Sequence, residues 1–356
     1  MTPPLCFDYK HVDGKPILLD VYLPDVNDLL PVERPTIIYF HAGTLTVGNK
    51  QGLFPTWLHK RLSNRGVILV SADYRLMPPS TGHDMVEDIQ DLFRFVATSL
   101  NDCLDETFSN EAALPTARSA YRVDTEAIGV SGTSAGPLCA YLACMHADPK
   151  PKVVLSMYGR GGDLLTPRYF MPKSGPIRPG MKMLDPEQFE EYLYPRSSRL
   201  ELISDSPYAD YPPDHVTPGY PSNPRMLVGK LYLQLGTFLD YYTGQHEPSL
   251  SEHLRSLSNP ATGVPEQHRR LFPQLGVSPA WPPTCLVHGT SDTSVLIEES
   301  RRLHSLLKAA NVDAVLWEVP GAEHAFDYAP PVEGVPYDKL FDDIVEFLTS
   351  HFIPST

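Results

Sequence analysis

The stretch that decides the fold is "AIGVSGTSAGP", residues 127–137. An apolar run gives way within four positions to a turn of small residues, with Ser134 between Gly132 and Gly136, and a run of helix formers follows. Such a serine is either an ordinary turn residue or a residue held out to react. The G-x-S-x-G pattern alone is weak evidence, but its place between a predicted strand and a predicted helix is what a nucleophile elbow requires.

Short apolar runs alternate with helical patterns on both sides of this turn. Apolar residues between turn residues predict strands within 17–24, 36–41, 66–76, 127–131, 152–158, 284–289 and 314–319. Apolar residues at helical spacing predict helices over 83–100, 135–147, about 296–310 and about 337–348. Strands that alternate with helices predict an α/β fold whose parallel sheet is covered on both faces.

Residues 160–280 break this alternation. The stretch holds nearly half of the chain's 37 prolines, many tyrosines and one clear helical pattern, over 224–243. Proline stiffens loops without adding a second sheet. We therefore predict an α/β core formed by residues 1–159 and 281–356, with residues 160–280 inserted over it as a cap.

Composition restricts the class of protein. The 356 residues are 42% apolar and 20% charged, a globular balance, and the net charge of −14 argues against nucleic acid or an anionic membrane surface as a partner. The five cysteines are scattered, without a C-x-x-C pair, so neither a disulfide framework nor a zinc site is expected. The sequence has no secretory signal pattern and no apolar run near the roughly 18 residues of a membrane span. We expect a cytoplasmic protein without a membrane span.

A catalytic serine needs partners elsewhere in the chain. Its hydroxyl becomes an effective nucleophile when a base takes its proton, and that base is commonly a histidine held by a carboxylate. In strand–elbow–helix enzymes the acid and then the histidine follow the serine. Asp292 follows the next-to-last predicted strand, and His324 follows the last. The order predicts Ser134, Asp292 and His324 as a catalytic triad, with Glu298 as the rival acid and Glu323 poorly placed to reach its neighbour's ring.

Acyl transfer also needs backbone N–H groups that stabilise the oxyanion of the transition state. The block "FHAGT" (40–44) is a turn of mostly small residues directly after a predicted strand. It predicts Gly43 and Thr44 as oxyanion donors, with Ala135 as the third donor. The alternative is an ordinary turn at the end of a strand.

Three blocks together resemble a known family. They are "HAGT" (41–44), "DYRLMP" (73–78) and "GTSAG" (132–136). The hormone-sensitive-lipase-like esterases of the α/β-hydrolase fold have His-Gly-Gly-Gly, a Tyr-Arg-Leu-Ala-Pro run and the elbow at these places. The resemblance covers about 5 to 160 and 280 to 350. It implies an eight-stranded, mostly parallel sheet with helices on both faces and an inserted cap, and it implies the triad and oxyanion donors named above.

The chain also departs from that family's pattern. Ala42 and Thr44 replace glycines, although both keep a backbone N–H, and Thr133 stands where many relatives have aspartate. The branched side chain of Thr44 either narrows the acyl pocket or lends it a hydroxyl contact. The long, proline-rich cap is more similar to hydrolase-like proteins of fungal secondary metabolism than to small bacterial esterases.

The sequence therefore predicts a serine hydrolase that cleaves a carboxylic ester through an acyl-enzyme, with a secondary metabolite as one candidate substrate. No metal or organic cofactor is expected, and the partner is a small-molecule ester or acyl substrate. Three cap residues, Phe238, Tyr241 and Tyr242, are candidate substrate-binding residues, but packing of the cap is an equally good explanation for them. Hydrolysis of a thioester or amide, ring closure by acyl transfer, and a non-catalytic binding protein remain as alternatives.

Overall fold

The computed structural model describes residues 3–24, 32–110, 121–217, 219–329 and 337–352. Within these ranges the strands are β1 (Leu5–Val12), β2 (Lys15–Tyr22), β3 (Val32–Phe40), β4 (Ile68–Ala72), β5 (Tyr121–Thr133), β6 (Val154–Met157), β7 (Thr284–Gly289) and β8 (Ala314–Val319). They form one sheet in the order β1-β2-β4-β3-β5-β6-β7-β8. The strand β2 runs antiparallel to both of its neighbours, and the other pairs are parallel. The predicted eight-stranded, mostly parallel sheet is confirmed.

The α-helices of the described ranges are α1 (Thr56–Asn64), α2 (Gly82–Thr98), α3 (Leu100–Asn110), α4 (Gly136–His146), α5 (Pro167–Phe170), α6 (Arg225–Leu235), α7 (Phe238–Thr243), α8 (Leu250–Arg255), α9 (Glu266–Arg269), α10 (Pro273–Gly276), α11 (Glu298–Ala309) and α12 (Tyr337–Ser350). Short 3-10 helices occupy Pro186–Tyr192, Arg196–Arg199, Pro260–Gly263 and Phe326–Tyr328. The strands at 284–289 and 314–319 and the helix near 83–98 lie where apolar periodicity predicts them.

Helices cover the sheet on both faces, as the α/β pattern predicts. On one face, α2 and α4 pack over the central strands in a large apolar cluster. On the other face, α1 and α12 pack together over a second cluster that includes Phe341 and Ile344. The helix α2 buries an apolar stripe, whereas α4 is buried almost all round between the sheet and its neighbours. The carboxyl ends of the parallel strands are thereby left as the open edge.

The stretch from 160 to 280 contributes short helices, and in its described part it adds no strand to the sheet. The single helix predicted over 224–243 is wrong, because α6 and α7 are separate helices. Gly236 ends α6 in the left-handed region, with φ +67°. A Cβ there would lie 2.4 Å from the carbonyl carbon of Met171, so the close approach of another segment requires glycine and breaks the helix. The boundaries of the core and the cap stay a prediction.

A buried arginine ties this inserted stretch to the core. The guanidinium of Arg225, at the start of α6, donates to the carbonyl oxygens of Pro78 (2.7 Å), Met77 (3.1 Å) and Thr46 (3.3 Å). The hydroxyl of Thr46 donates back to the carbonyl oxygen of Arg225 at 3.0 Å. Because Thr46 lies two residues after Thr44, α6 is fixed directly beside the predicted oxyanion turn.

Two further observations concern the described residues alone. No helix among them is long and apolar enough to cross a lipid bilayer. All five cysteines are free thiols, and the described ranges hold no cluster of three or more histidine, cysteine or acidic side chains arranged to bind a metal ion.

Candidate active site

The turn between β5 and α4 holds Ser134 in a closely packed backbone segment. Ser134 lies there in the left-handed region, with φ +57° and only 8% of its surface exposed, and its N–H donates to the carbonyl oxygen of Met157 at 3.0 Å. A Cβ on Gly132 would lie 2.4 Å from the backbone of Gly136, and a Cβ on Gly136 would lie 2.0 Å from the carbonyl oxygen of Phe40. The two glycines of the motif are therefore required by space. Their small size lets the strained serine stand at the N-terminal end of α4.

The structure brings the three predicted triad residues together. Nε2 of His324 lies 2.8 Å from Oγ of Ser134, and Nδ1 of His324 lies 2.7 Å from Oδ2 of Asp292. The three residues follow β5, β7 and β8, so the parallel sheet delivers them to one edge. The two rival acids make other contacts: Glu298 pairs with Arg301 at 3.4 Å, and Glu323 accepts from the backbone N–H groups of Thr293 and His324.

The carboxylate of Asp292 is buried and fully hydrogen bonded. Its Oδ1 accepts from the backbone N–H groups of Ser294 (2.8 Å) and Val295 (2.9 Å), and its Oδ2 faces both His324 and, at 3.2 Å, Nε2 of His288. Burial by itself raises the pKa of Asp292, but the hydrogen bonds from His288 and His324 outweigh it and hold the pKa well below its ordinary range. The carboxylate therefore stays ionised at neutral pH and can orient the ring of His324.

Two residues that contact Asp292 and His324, namely His288 and Tyr158, could not be predicted from the sequence. His288 is fully buried on β7, where Nδ1 lies 2.7 Å from the hydroxyl of Ser300 and Nε2 lies 2.9 Å from the carbonyl oxygen of Val295. The ring of Tyr158 packs edge-on against that of His324, with centroids 4.8 Å apart. Both residues lie inside apolar strand patterns, and nothing in the sequence distinguishes them from ordinary core residues.

The turn after β3 places successive residues at positive φ. Gly43 has φ +124°, and a Cβ there would lie 1.8 Å from the carbonyl oxygen of Val47, so this position demands glycine. Thr44 follows at φ +56°. Within the described ranges, the backbone N–H groups of Gly43, Thr44 and Ala135 donate to no protein acceptor. Three unused donors beside the serine are free to bind an oxygen of a ligand.

The side chain of Thr44 packs against the cap. Its hydroxyl lies 3.2 Å from that of Thr46. A Cβ on Gly229, which belongs to α6, would lie 2.6 Å from Cβ of Thr44. The nearby His41 stacks on Tyr74, with centroids 4.4 Å apart, and burial lowers the pKa of His41 to about 4.

A cavity opens beside Ser134, with an empty volume of about 880 Å³ that includes its open mouth. The core contributes residues of the oxyanion turn, the elbow and the loops around His324 to its wall. The stretch from 160 to 280 contributes Arg160, Arg168, Ile177, Arg178, Tyr208, Met226, Lys230 and Leu233.

The three cap residues predicted to bind substrate do not line this cavity, which corrects that expectation. Phe238 and Tyr242 are completely buried, and the hydroxyl of Tyr242 donates to the carbonyl oxygen of Leu271 at 2.7 Å. Tyr241 stacks on Tyr232, with centroids 3.6 Å apart. The physical reason is the break at Gly236, since α7 turns away and packs its aromatic residues against α2 and its neighbours.

The chain is similar in sequence to α/β hydrolases and to segments of fungal polyketide synthases. A family model described as the α/β-hydrolase fold matches residues 37–209. The non-reducing polyketide synthase ausA of Emericella nidulans is 24% identical over 96% of this chain but only 14% of its own length, and trt4 of Aspergillus terreus is 27% identical over 90% of this chain and 13% of its own. The Probable carboxylesterase M8 of a Phoma species is 25% identical over 43% of this chain and 46% of its own. This chain thus spans about a seventh of the polyketide synthases.

Solved structures support the fold. Esterase 2 of Thermogutta terrifontis, phosphonylated by sarin, aligns with 99% of this chain and 97% of its own at a TM-score of 0.57 and 18% identity. A Staphylococcus aureus protein of unknown function aligns with 98% of this chain and all of its own at a TM-score of 0.62 and 16% identity. The resemblance inferred from the three sequence blocks is confirmed, and the chain has the α/β-hydrolase fold.

Proposed function

We propose that this chain is a serine hydrolase that cleaves a carboxylic ester through an acyl-enzyme. One observation carries the proposal: Oγ of Ser134, Nε2 of His324 and the carboxylate of Asp292 form a continuous hydrogen-bonded series, with contacts of 2.8 and 2.7 Å, beside an open cavity. Both distances lie within the reach that proton transfer needs. The esterase neighbours agree with this reaction class.

The proposed mechanism follows from these contacts. His324 accepts the proton of Ser134 as the hydroxyl oxygen attacks the ester carbonyl, and Asp292 holds the ring in the required tautomer and stabilises the imidazolium. His324 then gives the proton to the leaving alcohol, and the acyl-enzyme forms. A water molecule that loses its proton to His324 attacks the acyl-enzyme, and the acid is released as His324 gives that proton back to Oγ of Ser134.

The oxyanion of each tetrahedral intermediate would be bound by backbone N–H groups of Gly43, Thr44 and Ala135. These donors have no protein acceptor among the described residues, so they are available before substrate arrives. A donor fixed in advance costs no reorganisation as charge develops, and loss of one such donor typically costs about 3 kcal/mol of transition-state stabilisation.

Reaction of Ser134 with a fluorophosphonate tests the proposal. The wild-type protein should gain the covalent mass on the peptide that contains Ser134, and Ser134→Ala should gain none and lose ester hydrolysis by about 10,000-fold or more. Near-ultraviolet circular dichroism of the variant serves as the control for folding. Absence of labelling in a folded wild-type sample would favour the alternative, a small-molecule binding protein on a hydrolase fold.

A second candidate is acyl transfer from a thioester or amide, including transfer to a nucleophile within the same substrate. This second candidate is considered because 96% of this chain aligns, at 24% identity, with a segment of a polyketide synthase. Matched p-nitrophenyl esters and acyl thioesters, from acetyl to decanoyl, separate the two, and mass spectrometry of the products distinguishes free acid from a closed ring. A higher kcat/KM for thioesters would move the assignment to this candidate.

The scattered free thiols are consistent with a reducing, cytoplasmic setting, which is also part of the proposal.

A further inference from the structure

Four cationic side chains line the cavity beside Ser134: Arg160, Arg168, Arg178 and Lys230. No aspartate or glutamate is among the described residues of its wall. The whole chain carries a net charge of −14. The cavity therefore concentrates positive charge in a protein that is otherwise strongly acidic.

These charges are not neutralised by contacts within the protein. In the described part of the chain, none of the four has a carboxylate oxygen within 4.0 Å. The side chains of Arg178 and Lys230 donate no hydrogen bond to other described residues. Arg160 is only 2% exposed, yet its buried Nε and Nη1 have no hydrogen-bond partner among the residues that the structure describes. Buried unpaired donors of this kind are rare in folded proteins, and they point to a missing acceptor.

Contacts with neighbouring residues orient the guanidinium groups of Arg160 and Arg168. The guanidinium of Arg160 lies over the ring of Phe238, 5.1 Å from its centroid. The carboxylate of Glu299, which interacts with Arg160 electrostatically, already accepts from the hydroxyl of Tyr169 and, at 2.7 Å, from the N–H of Gly161. Arg168 donates through Nη2 to the carbonyl oxygen of Ser294 at 2.6 Å. Arg168 is thus held against the loop that carries the triad acid.

Burial and like-charged neighbours disfavour the charged forms of two of the four side chains, Lys230 and Arg168, as their lowered pKa values show. Burial lowers the pKa of Lys230, and the neighbouring Arg178 lowers it further, with Asp210 opposing. Burial likewise lowers the pKa of Arg168, with Arg160 adding to the effect and Glu299 and Asp292 opposing it. An anion bound among the four would relieve both the desolvation and the mutual repulsion.

We propose that the substrate is an ester that carries a second, anionic oxygen group, a carboxylate or a phosphate, which Arg160, Arg168, Arg178 and Lys230 bind while the ester carbonyl faces Ser134. The planar guanidinium groups match the paired oxygens of either group. This inference rests on the proposed ester hydrolysis, and it names the substrate class of that same site.

Matched substrates test the inference. On the acyl side, p-nitrophenyl hydrogen adipate and its phosphate analogue, p-nitrophenyl 6-phosphonooxyhexanoate, are compared with p-nitrophenyl methyl adipate, which has the same chain length and no charge. On the alcohol side, 4-carboxyphenyl butyrate is compared with its methyl ester, and each rate is divided by its rate with hydroxide. We expect kcat/KM at least about 10-fold higher for an anionic member, with the advantage shrinking as salt is added. The arm with the larger advantage identifies the group and the side that it occupies. Equal or lower kcat/KM for every anionic member would overturn the inference.

Variants of two cavity cations show whether the charges are responsible. Lys230→Gln and Arg178→Gln remove side chains that make no hydrogen bonds among the described residues. Each should lower the ratio of anionic to neutral kcat/KM by about 10-fold. Lys60→Gln, which removes an exposed lysine on α1, is the matched control and should keep the ratio. If Lys230→Gln and Arg178→Gln also keep the ratio, the cation cluster does not select the substrate.

Failure of this inference and failure of the proposed function give different results. Fluorophosphonate labelling of Ser134 with cleavage of neutral esters, but no preference for anionic ones, would reject the inference alone. If Ser134 is unlabelled and no ester is cleaved, titration calorimetry with adipate tests anion binding independently of catalysis. Binding that weakens in Lys230→Gln supports the anion site, and absence of binding rejects it.

Discussion

The carboxyl edge of the sheet and the inserted stretch from 160 to 280 contribute to the same cavity in different ways. The edge supplies the residues that would react, each in a loop directly after a strand. The inserted stretch supplies the four Arg and Lys side chains of the described cavity wall and part of its apolar lining, including Ile177 and Leu233. The difference teaches that sheet geometry positions the residues of the proposed reaction, whereas the proposed selection of an anionic substrate depends on cations of the insertion.

The two regions are also held in place by different forces. At the edge, backbone segments approach so closely that glycine is required, as at Gly43 and Gly136. In the insertion, bulky aromatic side chains fill the interior, and Arg225 anchors α6 through carbonyl oxygens of the core. Substitutions in the two regions should therefore fail in different ways, the first through the reaction and backbone strain, the second through lost packing.

The largest effect is expected at the edge. Asp292→Asn keeps the shape of the side chain but cannot hold the required tautomer of His324, so kcat for ester hydrolysis should fall by about 10,000-fold. Steady-state kinetics with a p-nitrophenyl ester measures the loss. A nearly normal kcat would mean that another acid orients His324 and that the hydrogen bond in the structure is not the functional one.

The same substitution has a stability control with a defined pH dependence. The folded-state pKa of Asp292 is depressed, so its ionised form stabilises the fold at pH values above the unfolded pKa. This stabilisation is lost as the pH falls towards the folded pKa. Urea denaturation should show the wild type more stable than Asp292→Asn at pH 7, with the gap narrowing in strong acid. A gap that widens in acid would contradict the depressed pKa.

A smaller effect is expected from backbone strain at the elbow. A Cβ on Gly136 would lie 2.0 Å from the carbonyl oxygen of Phe40, and backbone cannot move aside cheaply, so Gly136→Ala should cost about 3 kcal/mol of unfolding free energy. Gly175→Ala, in the insertion, is the matched control, because a Cβ there meets nothing within 4 Å. Urea denaturation measures both. Equal stability of the two variants would show that the elbow tolerates a side chain.

These contrasts explain how much could be predicted from sequence. The elbow, His324 and Asp292 are visible because strand ends are local patterns and the chain order of the three is fixed by the parallel sheet. Strand β1 has no such signal. Its residues are half exposed because β1 is an outermost strand of the sheet. Its sequence therefore lacks the continuous apolar run that marks a strand buried on both faces.

The cavity wall could not be predicted, because it depends on how distant segments pack. Arg160, Arg178 and Lys230 look like ordinary surface charges in the sequence, and only their convergence gives them meaning. The error over Phe238 and Tyr242 has the same origin. Helical spacing shows that these residues share an apolar face, but it does not say whether that face meets a ligand or the core.

The smallest effect tests that corrected assignment within the insertion. Tyr242 packs its ring against Gly82 of α2 and donates its hydroxyl to the carbonyl oxygen of Leu271, both away from the cavity. Tyr242→Phe leaves that buried carbonyl oxygen unpaired and should cost about 1–2 kcal/mol of unfolding free energy with little change in kcat/KM. Tyr220→Phe, at an exposed position of the insertion, is the control and should change neither quantity. A fall of more than about 10-fold in kcat/KM, with stability retained, would instead mean that the insertion rearranges in the substrate complex and brings Tyr242 to the ligand, because a residue that only packs the interior affects turnover by way of stability.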